Sequence, residues 1–510
     1  MKNITKGLAT VLLGGMLLGL NTSCKKLGDF GDTNVNPNGS SSVATGTLIS
    51  TIQTRLGNNL FATIGTGTAP TAETLSGFYC QYFGETTYPG ASLYARSQNA
   101  EAPTYSGILY DCKVVINRNT DPATMAEAAN SGSNASQAAM TRIMKAYIFW
   151  TLTDKYGDLP YSEALQGAGN LTPKYDTQES IYKDLLKEVT EAVDQFDPAG
   201  ASVGNNDIIY AGDITKWQKF GNSLRMLMAL RLSKKYPAAG DYAATQFSAG
   251  FNHPAGFITN NADNFQLYYP GNVLQYQTPW SSTGNSADVA ESKTMTDALT
   301  AMGDSRITAF GSTPNGVPYC LAGGAQGTFA KILAPAFKTP AGKMVYIGAG
   351  DVLLAAAEGI ERGWVAGMTT TDAEADYNAG VTASFGQWSL SVPAGYLALG
   401  SPANYQNGTG ANSIGGATVP GTSAITNTKI SRINLQQWFS FYPNGGQGWA
   451  NWRRTGVPDL RPTINATGAG TIPRRYIYGA TDYSLNLDMV TAAATAIGGD
   501  TQENTVWWDR

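Results

Sequence analysis

The sequence is short of the residues on which most enzyme chemistry depends. It has one histidine in 510 residues, His253. That excludes an HExxH zinc site and any histidine cluster, and leaves little scope for a Ser/His/Asp triad. His253 precedes Pro254 in a Gly/Asn-rich stretch and reads as a loop residue. Of four cysteines, Cys24, Cys80, Cys112 and Cys320, none form a CxxC pair, so a disulfide framework is not expected, although Cys80 with Cys112 stays open in an exported chain. There is no GxxxxGK[ST] phosphate loop. Charged residues make up only 14% of the chain, with 34 basic against 38 acidic, so no basic surface invites nucleic acid. The 58 glycines and 26 tyrosines instead imply a neutral polar and aromatic surface, which suits an uncharged polar ligand.

No apolar run reaches the roughly 20 residues needed to cross a bilayer. Gly7 to Leu20 is uncharged, follows Lys2 and Lys6, and has the length and flanks of a secretory signal. The small residues Thr22 and Ser23 lead into Cys24, an arrangement similar to the lipobox of bacterial lipoproteins, with Asn21 departing from the usual Leu. The expectation is a signal peptide over 1–23, lipidation at Cys24 and a polar tether over 24–43. Several acyl chains would then hold the protein to a membrane, since each buried methylene contributes about 0.8 kcal/mol. The mature chain would carry 32 basic and 38 acidic residues, a net charge of −6.

Helical periodicity dominates from about 135 to 236. Ala139, Ile143, Ala146 and Trp150 share one face, and Ile181, Leu185, Val189, Ala192 and Phe196 share another. Asp176 with Glu179 has the form of a capping box. A third helix is expected after Asp213, with Trp217, Phe220, Leu224 and Leu227 buried. Trp150, Tyr182 and Trp217 recur close to the period of stacked helix-turn-helix units. Two further helices are expected near 344–362, with Val345, Ala349, Val352, Ala356 and Ile360 inward, and near 372–388. The fold class is therefore mainly α: stacked tetratricopeptide-like helical hairpins with a loop-rich region laid over them. Residues 238–343 read as loops with short strands or helices laid over the scaffold, and 389–428 as still more loop-like; a long ordered loop in a compact protein is usually functional or mobile.

Several blocks together resemble the SusD/RagB family. They are FGDTNVNPN at 30–38, TLTDKYGDLPYSEAL at 151–165, TPKYDTQESIYKDLLKEV at 172–189 and GDITKWQKFGNSLRMLMALRLS at 212–233. The C-terminal half adds DYNAGVTASFGQW at 376–388, QGWANWRRTGVPDL at 447–460, IPRRYIYG at 472–479 and WWD at 507–509. The resemblance is to the branch with the NVNPN leader. It implies one SusD-like domain over 44–510, its scaffold at 44–237 and 344–510 and a variable region at 238–343. It also implies an outer-membrane lipoprotein at the cell surface that captures oligosaccharides and hands them to a SusC-like TonB-dependent transporter. Oligopeptide cargo in the same lid role is the alternative.

The motif residues themselves read as structural. Gly157 and Pro160 would end a helix, with Asp154 and Asp158 bonding nearby amides. Arg453 and Arg454 would bind carboxylates or helix C-terminal carbonyls, with an anionic ligand as the sharper alternative. Trp449, Trp452, Trp507 and Trp508 would be packing residues. A glycoside hydrolase needs two carboxylates about 5 to 10 Å apart, and no spacing singles out a pair; Glu358 with Glu361 reads as a solvated helix face. No catalytic residue, metal or cofactor is expected. Candidate ligand contacts are Tyr88, Tyr94 and Arg96 in ETTYPGASLYARS, and Trp280 in YYPGNVLQYQTPWSSTGN, aromatics among turn formers where no helical or alternating pattern would bury them. The competing role for these rings is to pack loops onto helices or to face the transporter.

Overall fold

The computed structural model describes residues 43–60, 75–95, 104–273, 276–283, 288–319, 327–406, 428–462, 465–467 and 470–510. Cys24, the tether, Arg96, Cys320 and most of the 389–428 loop lie outside the described residues. Thr45–Arg510 forms one compact unit. Its helices in chain order begin with α1 (Thr45–Leu60) and α2 (Leu75–Tyr79). After the short strand β1 (Phe83–Glu85) come α3 (Tyr110–Thr120) and α4 (Asn134–Tyr156). A two-residue ribbon, β2 (Leu159–Pro160) with β3 (Tyr175–Asp176), leads to α5 (Gln178–Gln195), α6 (Ile214–Arg231) and α7 (Tyr242–Phe251).

Each of α3 to α7 packs on the next, as stacked helical hairpins require. The inward stripes are those the spacing predicts: Ala139, Ile143, Ala146 and Trp150 on α4, and Ile181, Leu185, Val189 and Ala192 on α5, are all fully buried. Asp213 caps α6 through the amides of Thr215 and Lys216. The cap of α5 sits one residue later than expected. Thr177 accepts from the Ser180 amide, while Asp176 accepts from the Ser162 amide at 2.7 Å and belongs to β3. Gly157 closes α4 at φ +88°, a conformation that an L side chain rarely adopts. Trp150 donates to the Tyr182 hydroxyl at 2.8 Å, whereas Trp217 donates to Asp207 at 2.7 Å, so only two of the three evenly spaced aromatics meet.

The second half adds β4 (Phe265–Tyr269), α8 (Pro279–Thr283), β5 (Val289–Glu291), α9 (Lys293–Met302) and β6 (Gly342–Ile347). Then follow α10 (Ala349–Glu361), α11 (Thr370–Gln387), α12 (Thr428–Ser440), α13 (Gly445–Thr455), α14 (Ala480–Leu485) and α15 (Leu487–Ala496). α10 packs on α6, α11 and α12, continuing the helical stack into this half. Here the sequence expectation fails at one place: 344–347 is strand, not helix. GKMVYI alternates, with Met344 and Tyr346 inward, and pairs antiparallel with β4, so Val345 turns away from the core. Cys80 and Cys112 are both free and buried, and do not pair. No described helix is long and apolar enough to cross a membrane.

Candidate functional site

The strand β4 alternates in burial, with Phe265, Leu267 and Tyr269 inward and Tyr268 outward at 67% exposure. Tyr268 stands opposite Lys343 on β6, and Gln266 opposite Val345, so the outer face of this ribbon presents an aromatic ring, an amine and an apolar surface. The ribbon walls a cleft of about 260 Å³. Trp280, in the first turn of α8, lines it together with Phe337, Gln387 and Trp388. Phe337 meets Trp388 edge to face at 5.1 Å, which fixes both rings. The indole N–H of Trp388 is buried with no hydrogen-bond partner among the described residues. Burial pulls the Lys343 amine below its ordinary value. Among the described residues no carboxylate lines the cleft. What it offers is flat rings, an amide and one amine, a set suited to the apolar faces and hydroxyl edges of a sugar.

A second exposed ring, Tyr88 at 58%, sits on the loop that follows β1. β1 pairs with β5, placing Asp288 beside the loop. Asp288 Oδ1 accepts from the amides of Thr87 at 2.6 Å and Tyr88 at 2.8 Å, and its carbonyl accepts from the Thr86 amide at 2.7 Å. Glu85 Oε2 takes the amides of Ala91 and Ser92 at 2.7 and 3.0 Å. Two carboxylates thus hold the loop from either end, and charge-assisted bonds of this kind are the stronger ones. Tyr88 does not line the Trp280 cleft.

Tyr94 corrects the sequence reading. It is only 2% exposed and packs edge to face on Tyr79 at 5.8 Å, with its backbone at φ +62°. That backbone turns the ring into the core, so the absence of a periodic pattern did not mean exposure. Trp280 is also mostly covered, at 6%, yet lines a cleft. Tyr268, Phe337, Lys343 and Trp388 were not singled out from sequence. Only Tyr268 had a usable signal there, the alternation in FQLYY.

The family blocks are structural cement. Asp154 is buried among Tyr182 and Trp508, which donate to it, and Arg231, 3.2 Å away. Burial raises its pKa, with Arg231 and Arg453 opposing. Arg453 stacks on Trp449 at 3.6 Å and donates to the carbonyl of Asp154 at 2.7 Å. Asp158 accepts from the Gln178 amide at 2.8 Å. Arg454 grips Glu358 with two bonds of 2.6 and 2.7 Å. Glu358 is therefore not on a solvated face: it is fully buried, and it is paired rather than available for catalysis. Asp509 of the WWD block receives Lys234 at 2.7 Å and also Arg474. These bonds tie the C-terminal segments onto α4, α6 and α10.

Among solved structures the chain is similar to a chitin-binding protein at 25% identity, covering 91% of this chain and 99% of that one, with a TM-score of 0.69. It shares its fold with a chitin-binding SusD homolog from Flavobacterium johnsoniae at 23% identity, 91% and 98% coverage and a TM-score of 0.73. A SusD homolog from Bacteroides uniformis gives 22%, 91% and 99%, and 0.70. No curated protein matches the chain by sequence. The family model described as "Starch-binding associating with outer membrane" matches residues 37–479. With the stacked hairpins, the buried motif residues and this match over most of its length, the chain belongs to the SusD-like family.

Proposed function

We propose that this protein binds oligosaccharides at the outer surface of the cell without cleaving them, held there by acyl chains on Cys24. It delivers them to a SusC-like TonB-dependent transporter. The observation that carries the binding role is the aromatic cleft at Tyr268 and Trp280, which has no carboxylate among its described residues. Rings of this kind cover the C–H faces of pyranoses, and Gln387 with Lys343 reaches hydroxyls. The family's starch-binding description and the chitin-binding neighbours support a glycan and direct the first ligands to be tried.

The test is calorimetry of the mature chain with chitin- and starch-derived oligosaccharides, after a screen of plant, host and microbial polysaccharides by affinity electrophoresis. Tyr268→Ala, at an exposed position, should stay folded and weaken binding about tenfold or more, the equivalent of roughly 1–3 kcal/mol for a buried large side chain. Trp280→Ala should do the same, and mass spectrometry should recover the ligand intact. Binding to no glycan, or preferential binding of a peptide digest, would overturn the reading. For the transporter, the tagged native protein in mild detergent should bring down a β-barrel, because a permanent lid buries more than about 2,000 Å². Recovery of the protein alone would count against that role.

A further inference from the structure

A second and larger cleft, about 930 Å³, lies between α3, α4, the turn after β2 and the start of α5. It shares no lining residue with the Trp280 cleft, so the two sites stand or fall separately. We propose that it binds an acidic sugar, the carboxylate of a uronic acid meeting Lys145. Tyr161, half-buried, lines the cleft and is backed edge to face at 4.8 Å by the buried Phe149, which fixes its ring as an apolar surface of the kind a sugar face covers. The Tyr161 hydroxyl donates to Asp184 at 2.6 Å, which locks that ring in place.

The rim is held in an unfavourable backbone conformation. Leu165 has φ +64°, and the Lys113 amine donates to its carbonyl at 2.5 Å. Strain kept in place by a half-buried lysine is a mark of a shaped site. Lys113 is thereby committed, and both oxygens of Asp176 accept from Ser162. Lys145 is different. It is half-buried, lines the cleft and has neither a hydrogen bond nor an ion pair among the described residues. Glu188 feels its charge, but the Glu188 carboxylate is taken by Arg142 at 2.8 and 3.0 Å. The exposed Asn117 and Gln166 add uncommitted amides for hydroxyls. One unpaired cation with two aspartates nearby suits a single carboxylate on a polyhydroxylated ring and disfavours a polyanion.

The experiment is calorimetry at low ionic strength with an aldobiouronic acid, a disaccharide with a single uronic carboxylate, and with its methyl ester, which keeps the rings and removes the charge. The free acid should bind at least tenfold more tightly than the ester, and added salt should reduce the difference. Lys145→Gln should abolish the preference and Lys145→Arg should keep most of it. Gln166→Trp, at an exposed rim position, should block the cleft and provides a second variant should Lys145→Gln fail to fold. Trp280→Ala, in the other cleft, should leave the preference for acid over ester intact. Equal affinity for acid and ester, undiminished preference in a folded Lys145→Gln protein, or loss of that preference in Trp280→Ala would each overturn the proposal.

Discussion

Replacing Glu358 by glutamine should destabilise the domain in a way that depends on pH, and the structure gives the size of the effect. The carboxylate is fully buried and takes two bonds from Arg454 at 2.6 and 2.7 Å and one from Arg362 at 2.8 Å. Burial alone would raise its pKa, but the two guanidinium groups more than offset that and hold it at about 2, against an ordinary 4.5. Glutamine keeps one acceptor but turns an N–H₂ toward Arg454 and leaves that cation buried without its charge partner. Breaking a buried pair from one side costs about 3–5 kcal/mol. Linkage gives a compatible figure: a gap of about 2.5 in pKa at about 1.4 kcal/mol each amounts to about 3–4 kcal/mol. Because the folded-state pKa is depressed, this contribution is complete above about pH 4.5 and is lost as pH falls through about 2. The assay is urea unfolding followed by tryptophan fluorescence, for both proteins, across this range. Other carboxylates titrate in both and cancel in the difference. The gap between wild type and Glu358→Gln should be largest at pH 7 and fall by about half by pH 3. A gap that stays constant with pH, or one below about 1 kcal/mol at pH 7, would refute the reasoning.

Tyr94→Ala should cost about 3–5 kcal/mol, as for other large buried rings, measurable by the same unfolding assay. Tyr88→Ala should leave stability within about 0.5 kcal/mol, so equal losses in the two variants would contradict the placement of the rings. Asp288→Ala removes the acceptor for the Thr87 and Tyr88 amides; amide hydrogen exchange at those two positions should accelerate while the helices stay protected, and unchanged exchange would show that other contacts hold the loop. Cys24→Ala should release the protein from membrane fractions or leave an unprocessed precursor, whereas a processed, membrane-bound variant in detergent phase partition would exclude lipidation at this residue.

Much of the scaffold is legible in the sequence because helix faces are local. The stripes on α4, α5 and α6 repeat every three or four residues, and their burial follows from that period alone. The family blocks are legible for a related reason, since Asp154, Arg453 and Asp509 need particular partners and leave little room for other residue types. Composition likewise left one histidine for chemistry. The candidate cleft was legible only in part. Trp280 and Tyr268 belong to one stretch of sequence, but Phe337, Lys343 and Trp388 come from segments up to 120 residues away and meet them only through the pairing of β4 with β6 and the packing of α11. Tyr88 and Tyr94 are six positions apart in one loop, yet one ring is in solvent and the other in the core. Nothing local distinguishes them. The difference lies in Asp288 holding the first part of the loop outward, and in Tyr79 and Gln502 receiving the second. Local period decides which face of a helix is buried, but the burial of a loop side chain depends on partners distant in the chain, which only the tertiary structure brings to it.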